Sequence, residues 1–400
     1  MCILFNGIPY RLWLNWFSPA FSSYMNAFVS IICRMSTICV LSDSHLGYRH
    51  RMKLQRLKDY RKAFLEAVEK ARKQKPGLVI YLGDLFHHKR PDPISMKTAY
   101  NALKKIADET PVVLCIGNHD IEGHLGSSYS PLFTILHDNI HVLTHENPHV
   151  ELKIGGEKIG LHGFQYMRDR KQVEEQLEII SAEVGGNDKE ILCMHQAIEG
   201  YLEPHEVSLK CLRSIAPRYD LILSGHVHKH QEIREISDVT PTYYAGSTER
   251  ISFNEADNRN GFLVFRDHRF REPEFVEVES SPMKKIREDL GKKSVEEVNS
   301  YIEGLLTNNE GSIKCLQVNL SVELKGEYFN LRQDWSTQFQ EYTILDVNVV
   351  PDRSLGLGDG FEKKAINEDL IKEYFKKTGM EGRKQLKEVC VKLYQEYGKQ

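Results

Sequence analysis

The sequence has no long apolar run, no excess of either charge and no closely paired cysteines. Each absence removes a class of protein. Lys and Arg number 53 against 56 Asp and Glu, a formal net charge of −3, so any polyanion would have to be met by a local basic patch. The eight cysteines, at 2, 33, 39, 115, 193, 211, 315 and 390, never form a C-x-x-C pair. Neither a zinc knuckle nor a disulfide framework is indicated. Several sit in apolar runs, as Cys39 does in Thr37–Leu41, and read as buried thiols in a reducing cytosol. A membrane-spanning helix needs about 20 mostly apolar residues in a row. The aromatic-rich residues 1–34 are interrupted by Asn6, Pro9, Arg11, Asn15, Pro19, Ser22, Ser23 and Asn26. They also lack the basic start and cleavage site of a secretory signal. Met35 then opens directly into a strand, so residues 1–34 are expected to be a mis-called extension and Met35 the true start. With 41% hydrophobic and 27% charged residues among 400, the composition is globular rather than disordered. At roughly 100–200 residues per domain the length suits two to three domains.

From Thr37 onward, short apolar runs alternate with helical periods. Strands are expected at Thr37–Leu41, Leu78–Leu82, Pro111–Ile116, Ile159–Leu161, Ile191–Met194 and Leu221–Leu223. Leu57, Tyr60, Phe64, Val68 and Ala71 mark an amphipathic helix, and another lies near Ser95–Asp108. Such alternation means an α/β fold, in which ligands bind beyond the carboxyl ends of strands. Just past those ends stand Asp43-Ser44-His45, Gly83-Asp84, Gly117-Asn118-His119-Asp120, His195 and Gly225-His226-Val227-His228. Any one group alone is adequately explained as a structural histidine or a strand-end turn. Five in succession, all at strand ends, point to a metal centre. Carboxylate, amide and imidazole donors without thiolate suit two divalent ions such as Mn²⁺, with a carboxylate bridging the pair.

These groups resemble the calcineurin-like metallophosphoesterases. Gly83-Asp84-Leu85-Phe86-His87 with Pro91 and Pro93, and Gly246-Ser247-Thr248-Glu249-Arg250 with Gly261-Phe262, resemble the nuclease branch, the SbcD-type subunits of double-strand-break repair complexes. His162-Gly163, His195-Gln196 and Lys229 extend the resemblance, which covers about residues 36–275. It implies a β-sandwich flanked by helices, with two Mn²⁺ per subunit. One ion would be held by Asp43, His45, Asp84 and His228, the other by Asp84, Asn118, His195 and His226. His119 would act beside the scissile phosphate with Asp120 as its supporting partner, and His87 would support the transition state. Ser44 stands where a bulkier residue is common in that branch, and would point away from the ligands if its segment were extended.

A nuclease must draw a polyanion onto this mildly acidic chain. Arg49, His50, Arg51, Lys53, Arg56 and Lys58 follow the first metal motif, and Lys89 and Arg90 the second. Arg49, Arg51, Lys53, Lys89 and Arg90 are the expected DNA contacts on the rim of the site, against the plainer reading of a solvated face. The expected domains are a phosphoesterase domain over 35–275, a smaller α+β capping domain over 276–350, a linker over 351–363 and a helical tail over 364–400. The capping region carries a basic helix near Val295–Leu306 and strands at Cys315–Val322 and Tyr342–Val350. In the tail, Ile366, Leu370, Ile371, Tyr374 and Phe375 form one apolar stripe. Leu386, Val389, Cys390, Leu393, Tyr394 and Tyr397 form a second. These either fold back or dock a partner. The resemblance implies an SMC-like ABC ATPase as that partner, a homodimer, duplex and single-stranded DNA ends as substrate, 3′-to-5′ exonuclease and endonuclease activities, and a place on the cytoplasmic nucleoid. The alternatives are a phosphoesterase acting on a nucleotide or phosphoprotein, and a mainly architectural end-binding subunit.

Overall fold

The computed structural model describes residues 4–5, 8–9, 37–122, 127–266, 270–325, 331–351 and 388–392. The expected extension 1–34 lies outside these, apart from the short paired strands Leu4–Phe5 and Ile8–Pro9. Apart from Pro351, the expected linker lies outside them too. So does the tail, except for a helical turn at 388–392 carrying Val389 and Cys390.

Two six-stranded mixed sheets form the scaffold. In the first, Ile38–Leu41, Leu78–Leu82, Val112–Cys115 and Ile140–Val142 run parallel. Gly261–Phe265 runs antiparallel beside Ile38–Leu41, and Glu274–Glu277 runs antiparallel to Gly261–Phe265 at the sheet edge. In the second, Glu157–Gly163, Lys189–Met194, Leu221–Ser224 and Thr242–Tyr244 are parallel, with His149–Ile154 and Gln231–Glu232 antiparallel at its edges.

Alternation along the strands explains the layering. Ile38, Val40, Ile80 and Leu82 of the first sheet share one core with Ile159, Leu161, Ile191 and Leu223 of the second. The intervening Cys39, Leu41, Val79 and Tyr81 face away, onto Ala63, Phe64, Ala67, Leu103 and Ile106. Those five lie on the helices Leu54–Lys73 and Pro93–Ala107. Leu192, Met194 and Ile222 similarly pack on Val173, Leu177 and Ile180 of the helix Arg170–Ala182. Both faces of each sheet are thus covered, which is why its strands read as continuous apolar runs. The α/β sandwich flanked by helices is the fold the sequence led us to expect. Helix Pro93–Ala107 shows how the prolines act: Pro93 occupies its first turn, and Asp92 accepts from the N–H groups of Ile94 and Ser95.

By compactness the chain divides into two units, Met1–Ile286 with Glu303–Val318 and Gln333–Val347, and Arg287–Ile302 with Asn319–Arg332 and Asn348–Gln400. A third sheet orders Met283–Ser294, Cys315–Lys325 and Ile344–Pro351. The helix expected near Val295–Leu306 is present as Val295–Asn309 and buries Val298, Ile302 and Leu306. It is not basic. Its charged residues are Glu296, Glu297 and Glu303, whereas Lys292 and Lys293 lie on the strand Met283–Ser294 that precedes it. Among the described residues no helix is long and apolar enough to cross a membrane.

Candidate metal centre

Five strands of the two sheets end at one place. Asp43, Asp84 and Asn118 follow strands of the first sheet, and His195, His226 and His228 follow strands of the second. The turns that deliver them are tight. Asp43, His45, Asp84 and His226 all have positive φ, at 50°, 45°, 50° and 80°. That is uncommon for residues with a Cβ and concentrates at functional sites. It also corrects the expectation of an extended segment around Ser44. Ser44 is buried, with Thr248 Oγ1 donating to its hydroxyl at 3.0 Å. Gly117 is required by crowding, since a Cβ there would lie 2.2 Å from Asp84 Oδ1.

The donor atoms converge. His45 Nε2 lies 3.0 Å from His228 Nε2 and 3.6 Å from Asp84 Oδ2, and His228 Nε2 lies 3.5 Å from Asp43 Oδ1. On the other side, His195 Nε2 lies 3.5 Å from Asp84 Oδ2, 4.0 Å from Asp43 Oδ1 and 3.1 Å from Asn118 Oδ1. The His226 ring centroid is 5.1 Å from that of His195, and its backbone N–H donates to Asp43. His195 donates from Nδ1 to the carbonyl of Leu82 at 2.6 Å, which fixes its tautomer and turns the Nε2 lone pair inward. Asp43, His45 and His195 are completely buried and Asp84 nearly so.

This much buried anionic charge demands a cation. Burial works against ionisation of Asp84, yet His195 and His45 pull its pKa far below the usual carboxylate range. Burial likewise disfavours protonated His195, but Asp84 and Asp43 raise it to about 9. Two imidazole nitrogens 3.0 Å apart, with carboxylates within 4 Å, are arranged to share a positive ion. Two carboxylates, an amide and four imidazoles, with no thiolate among them, fit a pair of hard-to-borderline divalent ions.

His119 and His87 stand beside these ligands. Their rings stack with centroids 4.6 Å apart. The His119 backbone N–H donates to Asp84 Oδ1 at 2.8 Å, and its Nδ1 donates to the carbonyl of His87 at 2.9 Å. That second bond corrects the role expected for Asp120. Its buried carboxylate accepts from the backbone N–H groups of Leu85, Phe86 and Gly117. It ties two ligand-bearing turns together instead of orienting the His119 ring. Burial, then the Asp84 charge, push Asp120 up to about 7.

The basic rim is less uniform than its sequence. Arg49 and Lys53 are exposed. Arg51 pairs with Asp346 at 2.6 Å, and Glu122 takes Arg90 at 2.7 Å and Lys89 at 3.8 Å. Arg56 is no rim residue. It is completely buried and bound to Asp59, Glu249 and the carbonyl of Arg250. The sequence reading did not single out Tyr48, whose ring lies 3.8 Å from that of His87, nor Glu255. Tyr48 directly follows the first metal motif, but nothing in the sequence marks Glu255.

Fold and site together define a dimetal phosphoesterase. Comparison agrees: residues 36–230 match the family model described as calcineurin-like phosphoesterase, and this segment is a calcineurin-like metallophosphoesterase domain. The chain is 26% identical over 352 residues to the DNA double-strand break repair protein Mre11 of Methanocaldococcus jannaschii, covering 86% of this chain and 90% of that one. The proteins of the same name from Methanococcus maripaludis and Thermoplasma acidophilum are 28% and 31% identical. Each match covers 56% of this chain, and 61% and 58% of the relative respectively. The matched region thus spans about three fifths of the length of these two relatives.

Proposed function

We propose that the chain is a Mn²⁺-dependent DNA nuclease, exonucleolytic 3′-to-5′ and endonucleolytic, that processes double-strand-break ends. The observation that carries this reading is the convergence of Asp43, His45, Asp84, Asn118, His195, His226 and His228, with His119 beside them. Its resemblance to relatives named for DNA double-strand break repair supports the choice of substrate.

One ion would be held by Asp43, His45, Asp84 and His228, the second by Asp84, Asn118, His195 and His226. Such a pair neutralises a phosphodiester's charge and makes a nucleophile from water at neutral pH. The protein's own residues supply the rest. His119 has Nδ1 committed to the His87 carbonyl, which leaves Nε2 as the ring nitrogen that would serve a phosphate or leaving oxygen as general acid. His87, stacked on it, limits its rotation. Asp120 holds the spacing of the turns bearing Asp84 and Asn118. Arg49 and Lys53, with Arg51, Lys89 and Arg90, would contact the DNA backbone.

In this reading residues 276–350 cap the site, and 351–363 link it to a tail, 364–400, that docks an SMC-like ABC ATPase through its two apolar stripes. The protein dimerises through phosphoesterase-domain elements, where Ile94, Leu132, Ile135 and Leu136 leave apolar surface exposed, and works on the nucleoid in the cytoplasm.

The test is cleavage of end-labelled duplex and single-stranded DNA in Mn²⁺, Mg²⁺ and chelator, by the chain begun at Met35 and by its His119→Asn variant. Mn²⁺-dependent cutting, lost in the variant while both ions still bind, is the expected result. Intact DNA alongside hydrolysis of a small phosphodiester would overturn the nuclease reading in favour of a small-substrate phosphoesterase.

A further inference from the structure

The Gly246–Arg250 motif supplies no donor atom to the candidate metal centre, yet it is tied to it: Thr248 donates to Ser44, and the Ser247 N–H donates to the His228 carbonyl at 3.1 Å. His228 faces its fellow donors through Nε2, and its other ring nitrogen, Nδ1, lies 3.2 Å from Glu255 Oε1. Glu255 is itself held on every side. Its Oε2 accepts from the N–H of Ile251 at 2.9 Å, and the Ser252 hydroxyl donates to Oε1 at 3.2 Å. Its backbone carbonyl accepts from Arg250 Nε at 3.2 Å. Arg250 spreads its other donors over the carbonyl of Asn258 at 2.7 Å and the hydroxyl of Ser280 at 2.6 Å. The guanidinium therefore spans the loop from 250 to 258 and clamps the short 3-10 turn Phe253–Glu255 in place. Both partners of the His228–Glu255 contact are largely buried, with side chains 11% and 16% exposed.

We infer that Glu255 is the positioning residue of His228, and that Arg250 of the Gly-Ser-Thr-Glu-Arg motif acts by holding Glu255. A carboxylate on the far nitrogen fixes the tautomer and the ring plane, and makes the metal-facing nitrogen a stronger donor. His195 achieves the same through the Leu82 carbonyl, a neutral partner. The two sides of the centre thus receive different support, a side-chain carboxyl group behind His228 and a backbone carbonyl behind His195. Glu255 should therefore act on one ion more than on the other.

The inference rests on the dimetal reading, and the experiment separates the two. Mn²⁺ binding to the full chain is titrated calorimetrically, with the melting temperature of the metal-free protein measured alongside, for wild type, Glu255→Ala and Glu255→Gln. Two ions should bind to wild type. In Glu255→Ala one of them should bind about 10–100-fold more weakly and the other as before, with little change in metal-free melting. Glu255→Gln keeps an oxygen facing Nδ1 and should recover part of the loss. Two ions bound equally well by all three proteins would overturn the positioning role. Equal weakening of both ions with a lowered metal-free melting temperature would make Glu255 a structural residue and also overturn it. A wild type that fails to bind two ions would overturn the dimetal reading itself, and the inference with it.

Discussion

Replacing Arg56 with Met should destabilise the protein without touching the exposed basic residues proposed to contact DNA. The guanidinium is fully buried. It binds Asp59 at 3.1 Å, Glu249 at 3.4 Å, the Arg250 carbonyl at 2.8 Å and the Tyr60 hydroxyl at 3.3 Å. Asp59 is partly exposed and can take up water in its absence, but Glu249 is 1% exposed. Burial already pushes the Glu249 carboxyl up, against the pull of Arg56. Without that cation Glu249 keeps only two N–H donors, those of Arg250 and Ser281. Removing one partner of a buried ion pair costs about 3–5 kcal/mol. For a domain of this size that is a fall of roughly 6–20 °C in melting temperature. The assay is thermal unfolding of wild type, Arg56→Met, Glu249→Leu and the double variant. The double variant leaves neither Arg56 nor Glu249 charged and should recover much of the loss, giving a coupling energy well away from zero. Single variants that melt within a degree of wild type, or effects that simply add, would refute the reasoning.

Rim charge should sort by pairing. Arg49→Glu with Lys53→Glu should lower the salt dependence of DNA binding by about one unit of slope per lost phosphate contact. Lys89→Glu with Arg90→Glu should do less, because Glu122 already offsets both; equal slopes would refute this. Gly117→Ala drives a Cβ to 2.2 Å from Asp84 Oδ1 and 2.4 Å from its backbone N. It should abolish two-ion binding in a Mn²⁺ titration, and wild-type affinity would refute it. His50 is buried, and burial, Arg56 and Arg51 lower its pKa from 6.5 to about 4, against the pull of Asp346 and Glu255. Between those values the folded state binds fewer protons than the unfolded one, so this contribution is full above pH 6.5 and is lost as pH falls toward 4. Urea midpoints should therefore fall less steeply with acidification in His50→Gln than in wild type; parallel curves would refute it.

The positions whose side chains converge at the strand ends were legible because each requirement is local. A polar residue just past an apolar strand can be read without knowing which sheet the strand joins. The chain then brings together strands from both sheets at one end, as the carboxyl ends of parallel strands dictate. The left-handed backbone at Asp43, His45, Asp84 and His226 was not legible, because no glycine or asparagine marks it. Arg56 misled for a related reason. It stands in a run of bases, and the buried carboxylate that claims it, Glu249, is far along the chain. Asp120 misled by adjacency: being next to His119 in sequence does not place its carboxylate on the His119 ring, and the turn sends it to three backbone donors.

The same contrast explains why Glu255 went unseen while Glu249 stood inside a motif. A glycine-bounded run such as Gly246–Arg250 draws notice because its backbone is constrained. Gly246 sits at φ 81°, close against His230. Its effect on the chemistry is carried elsewhere. Glu249 engages Arg56 and the backbone of Ser281, and Arg250 engages Ser280, Asn258 and the carbonyl of Glu255. Glu255 in turn reaches the His228 ring. A motif of this kind is a splint: its residues fix the loop that presents the acting group, and that group falls a few positions beyond the recognisable run. The residue to test first is therefore the one the splint holds, and the metal titration of Glu255→Ala reads its effect directly.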